Sequence, residues 1–150
     1  MVRNTKYFKL ILYIVVFSII ILNSPVTASN SKERIYDFAD LLTTEEIEEL
    51  EKVSSKYSAK RETDFIILII SDPKGKDIVE YMEDFYDEEG LGYDKPHGNT
   101  VILTIDMKNR DVYLAGYYKG EKYLDDYRSD LIIDKITPDL SKGDYFKAFH

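Results

Sequence analysis

Seven side chains have the types and settings that bind a hard cation: Asp37, Asp40, Asp87, Glu88, Asp94, Asn99 and Asp106. Calcium and magnesium take several such oxygen ligands, carboxylates supplemented by amide and backbone carbonyls. The same residues also cap backbone amides and close Asx turns, so loop stabilisation stands beside metal binding as the plainer reading. No D-x-[DN]-x-[DN]-G register with a closing Glu occurs, which excludes an EF-hand. Arg110 could grip a phosphate or carboxylate through two parallel hydrogen bonds, or pair with Asp106 or Asp111 across a hairpin. His97, in a loop beside Pro96, is a proton donor or an exposed bystander. Tyr117 and Tyr118, beside Gly116, offer a recognition edge, although core packing explains one of the two as well.

Other chemistries lack material. The chain has no cysteine and two histidines, one at the chain end, so thiol catalysis, thiolate metal sites, disulfide partners and a His-rich zinc centre are excluded. Neither G-x-G-x-x-G nor G-x-x-x-x-G-K-[ST] is present, which removes dinucleotide and P-loop chemistry. The formal net charge of −8 argues against nucleic acid, which needs clustered positive charge to displace counterions. It equally disfavours adsorption to anionic headgroups.

The amino terminus has the pattern of a secretory signal. Arg3, Lys6 and Lys9 precede the apolar run Leu10–Leu22, Asn23–Pro25 breaks it, and Val26-Thr27-Ala28 offers the small side chains of a cleavage site. A run of that length reaches roughly 20 Å against a hydrocarbon core of about 30 Å. Cleavage is expected after Ala28, with an uncleaved anchor as the alternative; either way the remainder faces outside the cytoplasm. The expected organisation is a signal peptide over residues 1–28, a linker over 29–34 and one domain over 35–150. That domain could be cut short in its last helix.

Local patterns then lay out the elements. Thr43 and Glu46 stand in capping-box spacing, and Ile47, Leu50, Val53 and Tyr57 form one helical stripe ending near Ala59. Phe65–Ile70 is continuously apolar, the mark of a strand buried on both faces, so helices should cover both sides of the sheet. Ile78, Tyr81, Met82 and Phe85 predict a second helix over Lys76–Glu88, with Gly90 as a left-handed cap. Gly90–Asn99 is a loop, Val101–Ile105 a central strand and Asp111–Ala115 its hairpin partner. Leu124 to Ile136 is helical, with Pro138 expected to interrupt or bend it, and residues from Asp144 onward begin another helix. The fold class predicted is α/β: an α/β/α sandwich with a mixed sheet of about four strands, one of them supplied near Ile35, flanked by helices on both faces.

In this order the segments resemble the TPM domain, named from a thylakoid lumen protein, a photosystem repair protein and a nematode receptor modulator. Ile35-Tyr-Asp-Phe-Ala-Asp-Leu-Leu-Thr-Thr-Glu-Glu46 resembles the opening D-x-A-x-x-L-[ST]-x-x-E. His97–Leu103 takes the place of the [DN]-G-V-L-L segment, Asn109–Tyr113 is similar to the x-R-x-[VW]-x strand, and Gly143–Ala148 to G-D-Y-x-x-A. Thr100 stands where the family has a glycine before its apolar strand, with Gly98 two residues earlier. The resemblance implies an extracytoplasmic domain whose relatives serve as assembly, repair or receptor-modulating factors, with plant members described as acid phosphatases.

Three functions follow as expectations. The first is a module that assists or modulates cell-envelope or membrane-protein complexes. The second is a divalent-metal-dependent acid phosphomonoesterase using Ca²⁺ or Mg²⁺, with Asp37 and Arg110 as its catalytic residues. Asp37 leads because its position agrees with the resembled motif. The third is an acidic structural domain with no ligand.

Overall fold

The computed structural model describes residues 32–150. The signal-peptide and cleavage expectations, and the first half of the linker, lie outside the described residues. Among these, no helix is long and apolar enough to cross a membrane.

The chain runs β1 (Ile35–Asp37), α1 (Thr44–Arg61), β2 (Asp64–Ile70), α2 (Ile78–Glu88), β3 (Thr100–Asp106), β4 (Asp111–Tyr117), a 3-10 turn (Glu121–Tyr123), α3 (Asp126–Leu140) and α4 (Tyr145–Phe149). The sheet order is β1-β2-β3-β4, with the first three strands parallel and β4 antiparallel to β3. This is the mixed four-stranded α/β/α sandwich expected from the periodicities. The two crossovers step the same way across the sheet, α1 over one face and α2 over the other. They are therefore of opposite hand, against the strong right-handed preference of such units.

Each element is fixed by a local device. Thr43 and Glu46 close the capping box of α1, and Glu62, at φ 52, ends that helix by donating its N–H to Ser58 O. The helix thus runs two residues past Ala59. Helix α2 starts at Ile78 rather than Lys76, because the Asp77 carboxylate accepts from the amides of Val79 and Glu80. Its end is a Schellman motif: Gly90 N–H bonds Asp87 O, Leu91 N–H bonds Tyr86 O, and Gly90 takes φ 57. Pro138 does not interrupt α3; it sits in the last turn, and the helix continues to Leu140. The carbonyl left without its amide is that of Asp134, an exposed residue, where water can serve it.

Alternation in the strands sorts side chains to two faces. One face carries Ile66, Leu68, Ile70 and Ile102, packed beneath Met82, Phe85 and Tyr86 of α2 and sealed by Leu91. Tyr86 and Tyr117 stack there with ring centroids 3.9 Å apart. Each such side chain contributes roughly 1.5–3 kcal/mol on burial. The other face carries Phe65, Ile67, Val101 and Leu103, with α1 on one flank and α3 on the other. Ser54 and Ser58 tie α1 to β2, the first donating to Phe65 O and the second accepting from Phe65 N–H.

The two sheet edges differ. Outside β1, the amides of Arg34 and Ile35 both donate to Glu51 Oε1, at 2.7 and 2.9 Å. At the opposite edge, β4 makes no backbone hydrogen bond from Asp111 through Gly116 beyond its ladder with β3, among the described residues.

Candidate functional site

In open α/β sheets the carboxyl ends of parallel strands gather ligands, above all where adjacent strands send their next helix over opposite faces. That parting falls between β1 and β2. Asp37 ends β1, Asp72 follows β2, and Asp106 ends β3, so this edge carries carboxylates from three neighbouring strands.

The Asp37 carboxylate accepts three backbone amides: Ala39 at 3.1 Å, Leu41 at 2.7 Å and Leu42 at 2.8 Å. It folds the β1–α1 loop over itself and lets Asp40 adopt φ 52. Asp106 is fully buried and accepts from the amides of Lys108 and Asn109 and from Asn109 Nδ2. It therefore closes the β3–β4 hairpin by the Asx geometry its residue type favours. Asp72 is bridged at 2.9 Å by Lys108 Nζ. That hydrogen bond, with the Lys74 amide, holds its carboxyl below the usual range. Arg110 is exposed at φ 60 in the hairpin and forms no ion pair with a described residue, so neither Asp106 nor Asp111 is its partner. The amides of the turn have already taken the Asp106 oxygens.

Asp87, Glu88, Asp94 and Asn99 lie at the opposite end of the sheet, where α2 and the Gly-rich loop lead into β3. Asn99 is structural in its contacts. Its Nδ2 donates to Glu62 O, its Oδ1 accepts the Lys119 amide, and Lys119 in turn bridges Glu62 at 2.6 Å. His97 is exposed, takes φ 54, and places Nδ1 3.4 Å from Asp87 Oδ1. Tyr117 belongs to the core stack, while Tyr118 is 59% exposed, with Lys95 Nζ 5.9 Å from its ring centroid.

The seven cation-binding candidates thus divide into Asp37, Asp40 and Asp106 at one end and Asp87, Glu88, Asp94 and Asn99 at the other. Among the described residues no three Asp, Glu or His side chains gather to hold an ion. As folded, Asp37 and Asp106 spend their oxygens on loop amides, so this donor set fits a cation only after those bonds open. Sequence reasoning missed Asp72 and its partner Lys108. The usable signal was position: Asp72 stands two residues beyond the continuous apolar run, at the carboxyl end of a buried strand. It also missed the buried pair in which Arg34 Nη2 lies 3.0 Å from Asp64 Oδ1.

Comparison with known proteins adds relationship. The TPM domain family model, which carries the label TPM phosphatase, matches residues 35–150. The UPF0603 protein YdjH of Bacillus subtilis (strain 168) is 48% identical over 124 residues, covering 83% of this chain. The match covers 46% of that protein's length, so the chain spans about half of its relative. Among solved structures, an N-terminal domain of a protein from P. gingivalis superposes with a TM-score of 0.67 at 20% identity, over 80% of this chain and 76% of that one. The N-terminal domain of the cg2496 protein from Corynebacterium glutamicum gives 0.60 at 14% identity, over 85% and 77%. At those identities the two structures speak to the fold alone.

Proposed function

As the chain belongs to the TPM domain family, we propose that it is an extracytoplasmic module that assists or modulates cell-envelope or membrane-protein complexes. The observation that carries this reading is the open edge of β4. Its seven residues contain no Pro or Lys, and Glu51 blunts only the opposite edge. Such an edge can accept an extended segment of a partner by strand addition. Tyr113, 37% exposed, stands on it as an aromatic contact.

The test is photo-crosslinking from β4 in native membranes, comparing the wild type with Tyr113→Lys. A lysine on an edge opposes strand pairing and should leave melting within about 0.5 kcal/mol of wild type. A discrete adduct lost in the variant is expected. Equal adducts in both, or none above background, count against the reading. Export is checked separately by amino-terminal sequencing of protein recovered outside the cytoplasm, with Ser29 expected as the first residue.

A divalent-metal-dependent acid phosphomonoesterase is the second reading. Its support is the carboxyl edge, where Asp37 and Asp72 flank the parting of the crossovers and Arg110 is uncommitted. Hydrolysis of p-nitrophenyl phosphate should then require Ca²⁺, Mg²⁺ or Mn²⁺ and vanish in Asp37→Asn, assayed where circular dichroism shows the variant folded. Activity that survives chelation or the substitution rejects this assignment.

A further inference from the structure

Between α1 and α3, on the sheet face away from α2, lies a cavity of about 700 Å³. Phe65, Leu103 and Leu114 form its floor, and Val53, Ile132 and Ile136 its walls. This size falls within the range of small-molecule sites, which are mostly apolar with a few placed polar groups. The charges on its lining are one-sided. Of the chain's 150 residues 28 are acidic, yet no Asp or Glu lines the cavity, whereas Arg61 and Arg128 do, beside the His150 imidazole. Arg128 donates to Tyr123 O and lies 3.8 Å from Asp125, and His150 lies 3.3 Å from Glu49. No described carboxylate stands within ion-pair distance of Arg61.

We infer that this trough takes a single-chain amphiphile with an anionic head, its hydrocarbon over Leu103 and Leu114 and its head against Arg61 and Arg128. An apolar floor favours a hydrocarbon of any charge. The lining of so acidic a chain carries Arg61 and Arg128 and no carboxylate, and Asp125 and Glu49 stand only beyond it, which favours an anionic head over a cationic one. The inference does not rest on strand addition at β4, although Leu114 of that strand belongs to the trough floor.

The experiment titrates the full chain with a dansyl-labelled undecanoate, followed by dansyl emission, with laurate, dodecanol and phosphatidylglycerol vesicles as competitors. One saturable site is expected, with laurate displacing the label about tenfold better than dodecanol. The double variant Arg61→Gln/Arg128→Gln should weaken binding about tenfold, and Ile132→Trp, which fills the trough from an exposed helix, should abolish it. Thermal melting checks that each variant is folded; the arginine pair decides if the tryptophan variant is not. Displacement by laurate but not by vesicles supports a free single-chain acid, and displacement by the two-chain vesicle lipid overturns the single-chain assignment. Absent saturable binding, equal displacement by acid and alcohol, or affinity unchanged in the variants overturns the proposal. So does a dimer that Ile132→Trp dissociates, since the trough would then be covered by a second copy.

Discussion

The face of the sheet under α2 is filled, and the face between α1 and α3 is not. Both faces draw on the same apolar strands, so the difference comes from the helices. Helix α2 buries Met82, Phe85 and Tyr86 along one stripe. Helix α1 buries Leu50 with Ser54 and Ser58, two small side chains whose hydroxyls go to β2 rather than to the core. Helix α3 has no buried residue, and its Leu131 and Ile132 are 50% and 39% exposed. One face is therefore closely filled while the other keeps an open trough.

Paired truncations give the largest expected difference. Leu68 is fully buried on the filled face, and Leu103 lies on the trough floor. Leu68→Ala should cost about 3–4 kcal/mol, since close packing leaves a new cavity that cannot collapse. Leu103→Ala should cost about 1–2 kcal/mol, because it enlarges a space that already exists and loses mainly the transfer term. Denaturant unfolding measures both. Equal costs would break the comparison and imply that the trough closes in solution.

This asymmetry was not legible in the sequence, and the reason is physical. A continuous run such as Phe65–Ile70 states that both faces are covered, never how well. Leu131-Ile132-Ile133 reads as core until the placement of α3 leaves most of it outside. By contrast, the capping box at Thr43 and the left-handed Gly90 could be read directly, because each depends on residues close in the chain. For the candidate site, Asp37 and Asp106 were found by type and position, but their work could not be. Whether a carboxylate meets a cation or three amides depends on where the loop folds, and Asp37 turns its loop back onto itself. Asp87 and Asp94 are close to Asp106 in composition and far from it across the sheet, a separation that only strand direction decides.

Alkaline titration sharpens the comparison next. Burial, the main cause, raises the phenols of Tyr36 and Tyr86 to about 12 and pushes Tyr117 further up. All three pack on the filled face, and Tyr86 also donates to Gly98 O at 3.1 Å. An unfolded phenol loses its proton near pH 10. The folded state holds the proton longer, so the stabilisation is fully present below pH 10 and is lost as pH rises toward 12. Unfolding followed against pH should steepen across that window, and Tyr86→Phe should flatten it. A slope unchanged by Tyr86→Phe would show that ionisation on this face is not what the fold resists.

The smallest predicted effect tests how complete the filling is. Thr104 lies between Leu68 and Tyr113 in the strand register, on the face that α2 covers. It is fully buried, and its Oγ1 has no hydrogen-bond partner. A buried hydroxyl without a partner costs about 1–3 kcal/mol relative to one that is satisfied. Thr104→Val replaces that hydroxyl with a methyl of similar size and leaves β3 with an equally branched residue. The variant should be more stable than wild type by about 1 kcal/mol, allowing for the slightly larger volume in a tight site. Denaturant midpoints at an unchanged m-value measure the gain. A loss of stability would mean that an ordered water satisfies Thr104 and that the filled face contains a polar void, which narrows the contrast with the trough.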